Sequence, residues 1–184
     1  MKSGMRETKK ITLSAIIVAF GVLFMTLGYF VEALDPTVAA LLSLAMVFVF
    51  LEIGSPYTWL VYACTTLLGF LFYSASLVWV TYGLVFGLYP IIKAYVERLK
   101  KGAWIIVKLV YFNLSLALLT VVSEFVLGIP LIITEGFEGV MASVITVASY
   151  ILMNLAFILY DICITKAVKI YYARLRPRIA SLLK

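Results

Sequence analysis

Histidine is absent from these 184 residues, and cysteine occurs only at Cys64 and Cys163. Without imidazole there is no base for a Ser or Cys nucleophile, and the commonest transition-metal ligand is missing. The two cysteines lie far apart in apolar runs, where they read as small core residues rather than a disulfide or a metal pair. There is no Gly-rich phosphate loop and no pair of intramembrane aspartates. These absences argue against an enzyme, and no cofactor or metal is expected. Basic charge is missing from long stretches as well. No Lys or Arg occurs from Ile11 to Ile92, and none from Leu109 to Thr165.

What fills those stretches is apolar. Hydrophobic residues make up 65% of the chain and the mean hydropathy is +1.13, against about 45–50% apolar usage in soluble domains. All fifteen Lys and Arg residues fall into Lys2–Lys10, Lys93–Lys108 and Lys166–Lys184. Translocating basic residues is costly, so the three clusters mark the cytoplasmic side of a bilayer. The two intervals between them must then cross it an even number of times. A helical crossing takes about 20 residues at 1.5 Å each, so the first interval holds four crossings and the second two. The positive-inside rule thereby accounts for the net charge of +6, which needs no nucleic-acid partner.

The expected fold is all-α: six transmembrane helices in a single domain, residues 1–184, with both termini cytoplasmic in the cell (plasma) membrane. The spans fall at about 11–31, 38–51, 57–72, 77–92, 103–127 and 140–165. Asp35 or Thr37 is expected to cap the second helix while Pro36 breaks the first. Pro90 is expected to kink the fourth. Residues 93–102 form a basic cytoplasmic connector that reads as a helix, since Glu97 stands four residues from both Lys93 and Lys101. The basic, Tyr-rich tail is expected to lie along the inner membrane surface.

Polar residues inside a membrane are expensive, so their placement is informative. On span 5, Asn113, Ala117, Thr120 and Glu124 share a helical face; on span 6, Ser143, Thr146, Tyr150, Asn154 and Asp161 do the same. Consecutive spans run antiparallel as neighbours, which sets Asn113 opposite Asn154 and Lys108 opposite Asp161. Lys108 lies some 140° round the helix from Asn113, so the two pairs are not expected to be central to one straight interface. Lys108–Asp161 reads as a snorkelling ion pair that holds the bundle together. The outer half offers two readings. Trp79, Tyr82, Asn113, Thr120, Glu124, Tyr150 and Asn154 form a small-molecule pocket under the outer surface, or they are helix packing with an aromatic belt and an exposed Glu. Outer acids without outer Lys or Arg favour a neutral or cationic, aromatic or heterocyclic ligand.

Small residues four apart let helices approach closely. Gly83 and Gly87 on span 4 are assigned to packing within the bundle. Six spans, cytoplasmic ends and the opening Lys-Lys-Ile-Thr-Leu-Ser-Ala15-Ile-Ile-Val-Ala19 resemble the substrate-binding S component of energy-coupling-factor (ECF) transporters. The resemblance implies that Ala15 and Ala19 match the Ala-x-x-x-Ala motif used to dock on a T-type transmembrane subunit, itself joined to two ATPases. It implies capture of a vitamin-like molecule from the outer side, between the last three helices and the outer loops. The absent histidine sets the chain apart from the nickel and cobalt members. A non-transporting scaffold, similar to the multi-span rod-shape-determining proteins, would share the span count without a pocket.

Overall fold

The computed structural model describes residues 7–31, 34–98, 101–132, 136 and 138–176. The acidic loop positions Glu32 and Glu135, and Lys100 of the connector, lie outside them. Every regular element among the described residues is helical. We number the helices α1 (Glu7–Phe30), α2 (Asp35–Glu52), α3 (Ser55–Tyr73), α4 (Leu77–Val96), α5 (Lys101–Val121, extended by a wider turn Val122–Val126) and α6 (Val140–Ile170, extended by Tyr171–Leu175). Five are long and apolar enough to cross a membrane. The sixth, α3, has 19 residues and more Tyr, Thr and Trp. The helices fit a multi-pass membrane protein.

Several ends differ from expectation. Pro36 opens α2 rather than breaking α1, and Leu34 takes the cap position without a side-chain bond. Proline suits the first turn because its missing N–H would have no intrahelical partner there. Pro56 opens α3 in the same way, after Gly54 turns the chain at φ 112°, a conformation that a Cβ would strain. At the turn between α3 and α4, Ser76 caps α4 by accepting from the Val78 amide. Helix α4 continues four residues past its expected end, so Lys93 is helical, as the connector reading has it, but continuous with the span and buried. Helix α6 likewise runs on into Tyr171–Leu175, so the described part of the tail is continuous with the span.

Lipid tails are as apolar as Leu, so helices associate in a membrane through close packing and polar bonds rather than hydrophobic burial. On α1 the buried residues are Ser14, Gly21, Met25 and Gly28, a narrow stripe of mostly small side chains. A Cβ at Gly21 would sit 2.9 Å from Thr65 Cγ2 of α3, and one at Gly28 would sit 2.8 Å from Val78 Cγ2 of α4. These glycines set how near α1 lies to its neighbours. Ala15 and Ala19 are exposed on the far side of the same helix.

Helix α4 is the centre of the bundle. Of its most apolar stretch 61% is buried, against 6% for α6. It is interrupted by one turn of π-helix, Tyr82–Phe86, closed by the Gly87 amide bonding to the Tyr82 carbonyl at 2.7 Å. Two tyrosines from neighbouring helices hold carbonyls of that turn. Tyr62 of α3 donates to Gly83 O at 2.8 Å, and Tyr111 of α5 donates to Leu84 O and Val85 O at 2.8 and 3.0 Å. The irregularity expected at Pro90 lies just ahead of it, as Pro90 itself starts the next α-helical segment. A ring lacking N–H cannot donate back to the preceding turn, which favours the wider winding there. Gly83 and Gly87 are buried against Thr66 and Tyr82, so they pack within the bundle.

Candidate functional site

Helices α5 and α6 meet along a ladder of polar pairs. Asn113 Nδ2 donates to Asn154 Oδ1 at 2.8 Å, and Asn154 Nδ2 returns a bond to Asn113 Oδ1 at 3.2 Å. Each amide spends its other N–H on a backbone carbonyl one turn back: Leu109 O at 2.9 Å and Tyr150 O at 3.0 Å. Further along, toward the C-terminus of α5, Thr120 and Tyr150 join their hydroxyls at 3.1 Å. Thr120 already donates to Leu116 O, so in that pair Tyr150 is the donor. Glu124 stands in the wider turn above, exposed, with no hydrogen bond or ion pair among the described residues. Asn113 is exposed, while Thr120, Tyr150 and Asn154 are half-buried.

Of the two aromatics assigned to the site from α4, Tyr82 stands elsewhere, while Trp79 packs on the same core cluster as Tyr150. Tyr82 is 1% exposed and packs with Met25, Val38 and Leu42 toward α1 and α2. Its ring is enclosed, leaving no face for a stacked ligand. Trp79 turns to α3, its ring 5.0 Å from Phe70 and its indole N–H donating to Ser74 O. Neither makes a hydrogen bond or ring contact with the ladder. The turn-by-turn rotation of a helix resolves depth well, but it does not show which neighbour a central helix offers each face to.

Below the ladder lies an aromatic floor. Phe112 and Phe157 stack at 4.2 Å and 10° between planes. Tyr89, Tyr111 and Tyr160 surround them, and Tyr160 also bonds Ser43 of α2. From Val140 to Ile170 the buried residues are Phe157 and Ile164, and beside the polar pairs half-buried side chains such as Tyr150 and Met153 pack on the core.

Where the C-terminal part of α4 meets α5 and α6, the expected Lys108–Asp161 pair is present at 2.9 Å, within a larger network. Asp161 also accepts from Lys93 and from the Tyr89 hydroxyl. Lys93 reaches Glu97 at 2.6 Å and Thr165 Oγ1 at 2.8 Å, and Lys108 reaches Glu97 at 2.8 Å. Two ammoniums and two carboxylates alternate, so the cluster is neutral and each lysine spends its donors inside it. Both lysines are buried, at 4% and 6% exposure. Burial disfavours the charged Glu97 carboxylate, but the hydrogen bonds from Lys108 and Lys93 outweigh it and hold the group below the usual carboxylate range. The ion pair and the Asn pair coexist because the long lysine stem reaches round α5 to the α4 side, while Asn113 stays on the open face. The Lys93–Glu97 spacing of four already carried the helical reading of the connector, and the Asp161–Thr165 spacing of four is the signal that points to Thr165.

A second polar closure ties the α6 extension to α2. Arg176 Nε lies 3.2 Å from Glu52 Oε1, and the Tyr171 ring packs edge-on against Phe48. The ladder, the aromatic floor and the charged clamp form one column along the α5–α6 side. No family model, no curated protein and no solved structure matches this chain.

Proposed function

We propose that the chain is the membrane-embedded, substrate-binding subunit of an ECF-type importer. It would capture a small molecule from the outer side and dock on a T-type transmembrane subunit joined to ATPases. The observation that carries this reading is the face of α1 on which Ala15 and Ala19 lie. The helix packs into its own bundle through Ser14, Gly21, Met25 and Gly28, which leaves the alanine stripe exposed and free to meet another helix. The column between α5 and α6 supports it, because a binding subunit needs polar groups in the outer half above a closed inner end.

In this reading there are six spans with both termini in the cytoplasm, in the plasma membrane. Single cysteines in a background lacking Cys64 and Cys163 test the orientation. Leu34→Cys and Ser74→Cys should react with an impermeant maleimide on intact cells. Arg98→Cys and Lys169→Cys should react only after permeabilisation. Reaction at Arg98→Cys from outside would overturn the orientation, since the central basic cluster anchors it.

Binding itself is tested by mass spectrometry of compounds that co-purify with the chain in mild detergent. A binding subunit retains a small molecule in stoichiometric amount. A scaffold similar to the rod-shape-determining proteins retains lipid and detergent alone, and that result would displace the importer reading.

A further inference from the structure

We infer that the ligand of the α5–α6 ladder is recognised through its hydrogen-bond donors and is an organic ammonium or amine, not an anion. The inference rests on the binding-subunit reading above and narrows its substrate class. It comes from counting protons along the ladder. Both N–H groups of Asn113 and both of Asn154 are spent, on each other and on carbonyls of their own helices. The Thr120 proton goes to Leu116 O, and the Tyr150 proton goes to Thr120. The hydroxyls at the same interface but off these pairs follow the same pattern. Ser123 donates to Thr120 O, Ser143 to Gly139 O and Thr146 to Ala142 O.

What remains is lone pairs. An amide oxygen accepts two bonds and a hydroxyl oxygen two, while a carboxylate accepts about four. Asn113 Oδ1 and Asn154 Oδ1 each accept one from the other, so each keeps one place. Thr120 Oγ1 keeps one, Tyr150 Oη keeps its own, and the Glu124 carboxylate keeps all of its places among the described residues. The ladder thus presents five acceptors and no free donor. An incoming carboxylate, phosphate or carbonyl would face oxygen on every side and could bond only after breaking an internal bond. No Lys or Arg lies in the outer half of any span to offset that. A ligand bearing N–H donors, with a positive charge for Glu124, meets every open place without disturbing the ladder. Such charge-assisted bonds are the stronger kind.

The experiment uses the full chain in lipid nanodiscs and three probes that share one ring: benzylamine, benzyltrimethylammonium and phenylacetate. The first has charge and N–H donors, the second charge without donors, the third acceptors alone. Calorimetry should find benzylamine binding at least tenfold more tightly than the trimethyl compound, with no binding of phenylacetate. Glu124→Gln should weaken benzylamine ten- to a hundredfold, while Glu138→Gln should leave it within twofold. Equal binding of the two cations, or tighter binding of phenylacetate, would overturn the inference. Where no probe binds, the retained compound decides. An amine supports the donor assignment, and an anion or a molecule without N–H overturns it while the binding-subunit reading stands. If nothing is retained and nothing binds, both fall.

Discussion

Replacing Asp161 by Asn should lower the stability of the folded chain by roughly 3 kcal/mol and uncouple α6 from α4. Asp161 accepts from Lys93, Lys108 and Tyr89 together, so its loss leaves two buried ammoniums sharing one remaining carboxylate, Glu97. Removing one partner of a buried ion pair typically costs about 3–5 kcal/mol, because the charge left behind is uncompensated. The lower end applies here, since 22% of the Asp161 side chain is exposed while Lys93 and Lys108 are at 6% and 8%. For a chain of this size that is a fall of about 6–12 °C in the unfolding midpoint, taking roughly 2–4 °C per kcal/mol. Lys108→Met should cost less, as Lys93 still neutralises Asp161. Adding Lys108→Met to Asp161→Asn should recover part of the loss, because it removes the extra positive charge. Thermal unfolding followed by size-exclusion monodispersity in one detergent provides the comparison. A midpoint for Asp161→Asn within a degree or two of the parent would mean that the cluster is solvated and does not hold the helices.

The network also shows which parts of the molecule can be read from the chain. Asn113 with Asn154 and Lys108 with Asp161 were accessible because consecutive antiparallel helices leave a single register to choose. The apolar intervals and the basic clusters placed the helices, apart from the run-on of α6 through Leu175, for a related reason: the cost of moving charge into lipid is large and local. What escaped is set by third parties. Lys93 looks like a marker of the cytoplasmic surface until Asp161 and Thr165, some seventy residues later, arrive to bury it. The wide turn at Tyr82–Phe86 depends on hydroxyls from Tyr62 and Tyr111 on two other helices. Within α4, Pro90 alone marks it, through the N–H it lacks. Tyr82 faces α1 and α2 because α4 is surrounded on all sides, and a helical-face argument between two neighbours cannot rank a third. The stripe of Ser14, Gly21, Met25 and Gly28 was present at spacings of seven, four and three, yet the alanine pair beside it drew the eye through the family resemblance.

That stripe makes the docking prediction a sharp one. Ala15 and Ala19 lie roughly 110–150° round α1 from the buried residues, at about 100° per residue, and both are exposed. An indole placed at either position meets lipid rather than the bundle, so Ala15→Trp and Ala19→Trp should fold and retain ligand as the parent does. Close helix approach needs small residues on the contact face, so each variant should reduce co-purification with the T-type subunit and its ATPases to background. Gly21→Trp is the internal comparison. Its side chain would drive into Thr65, where even a Cβ comes within 2.9 Å, and that variant should lose stability whether or not a partner is present. Loss of folding in Ala15→Trp would show that the alanine face packs inside this protein. Undiminished assembly would show that the partner, if one exists, approaches from another side of the bundle, and the ECF reading would lose its main support.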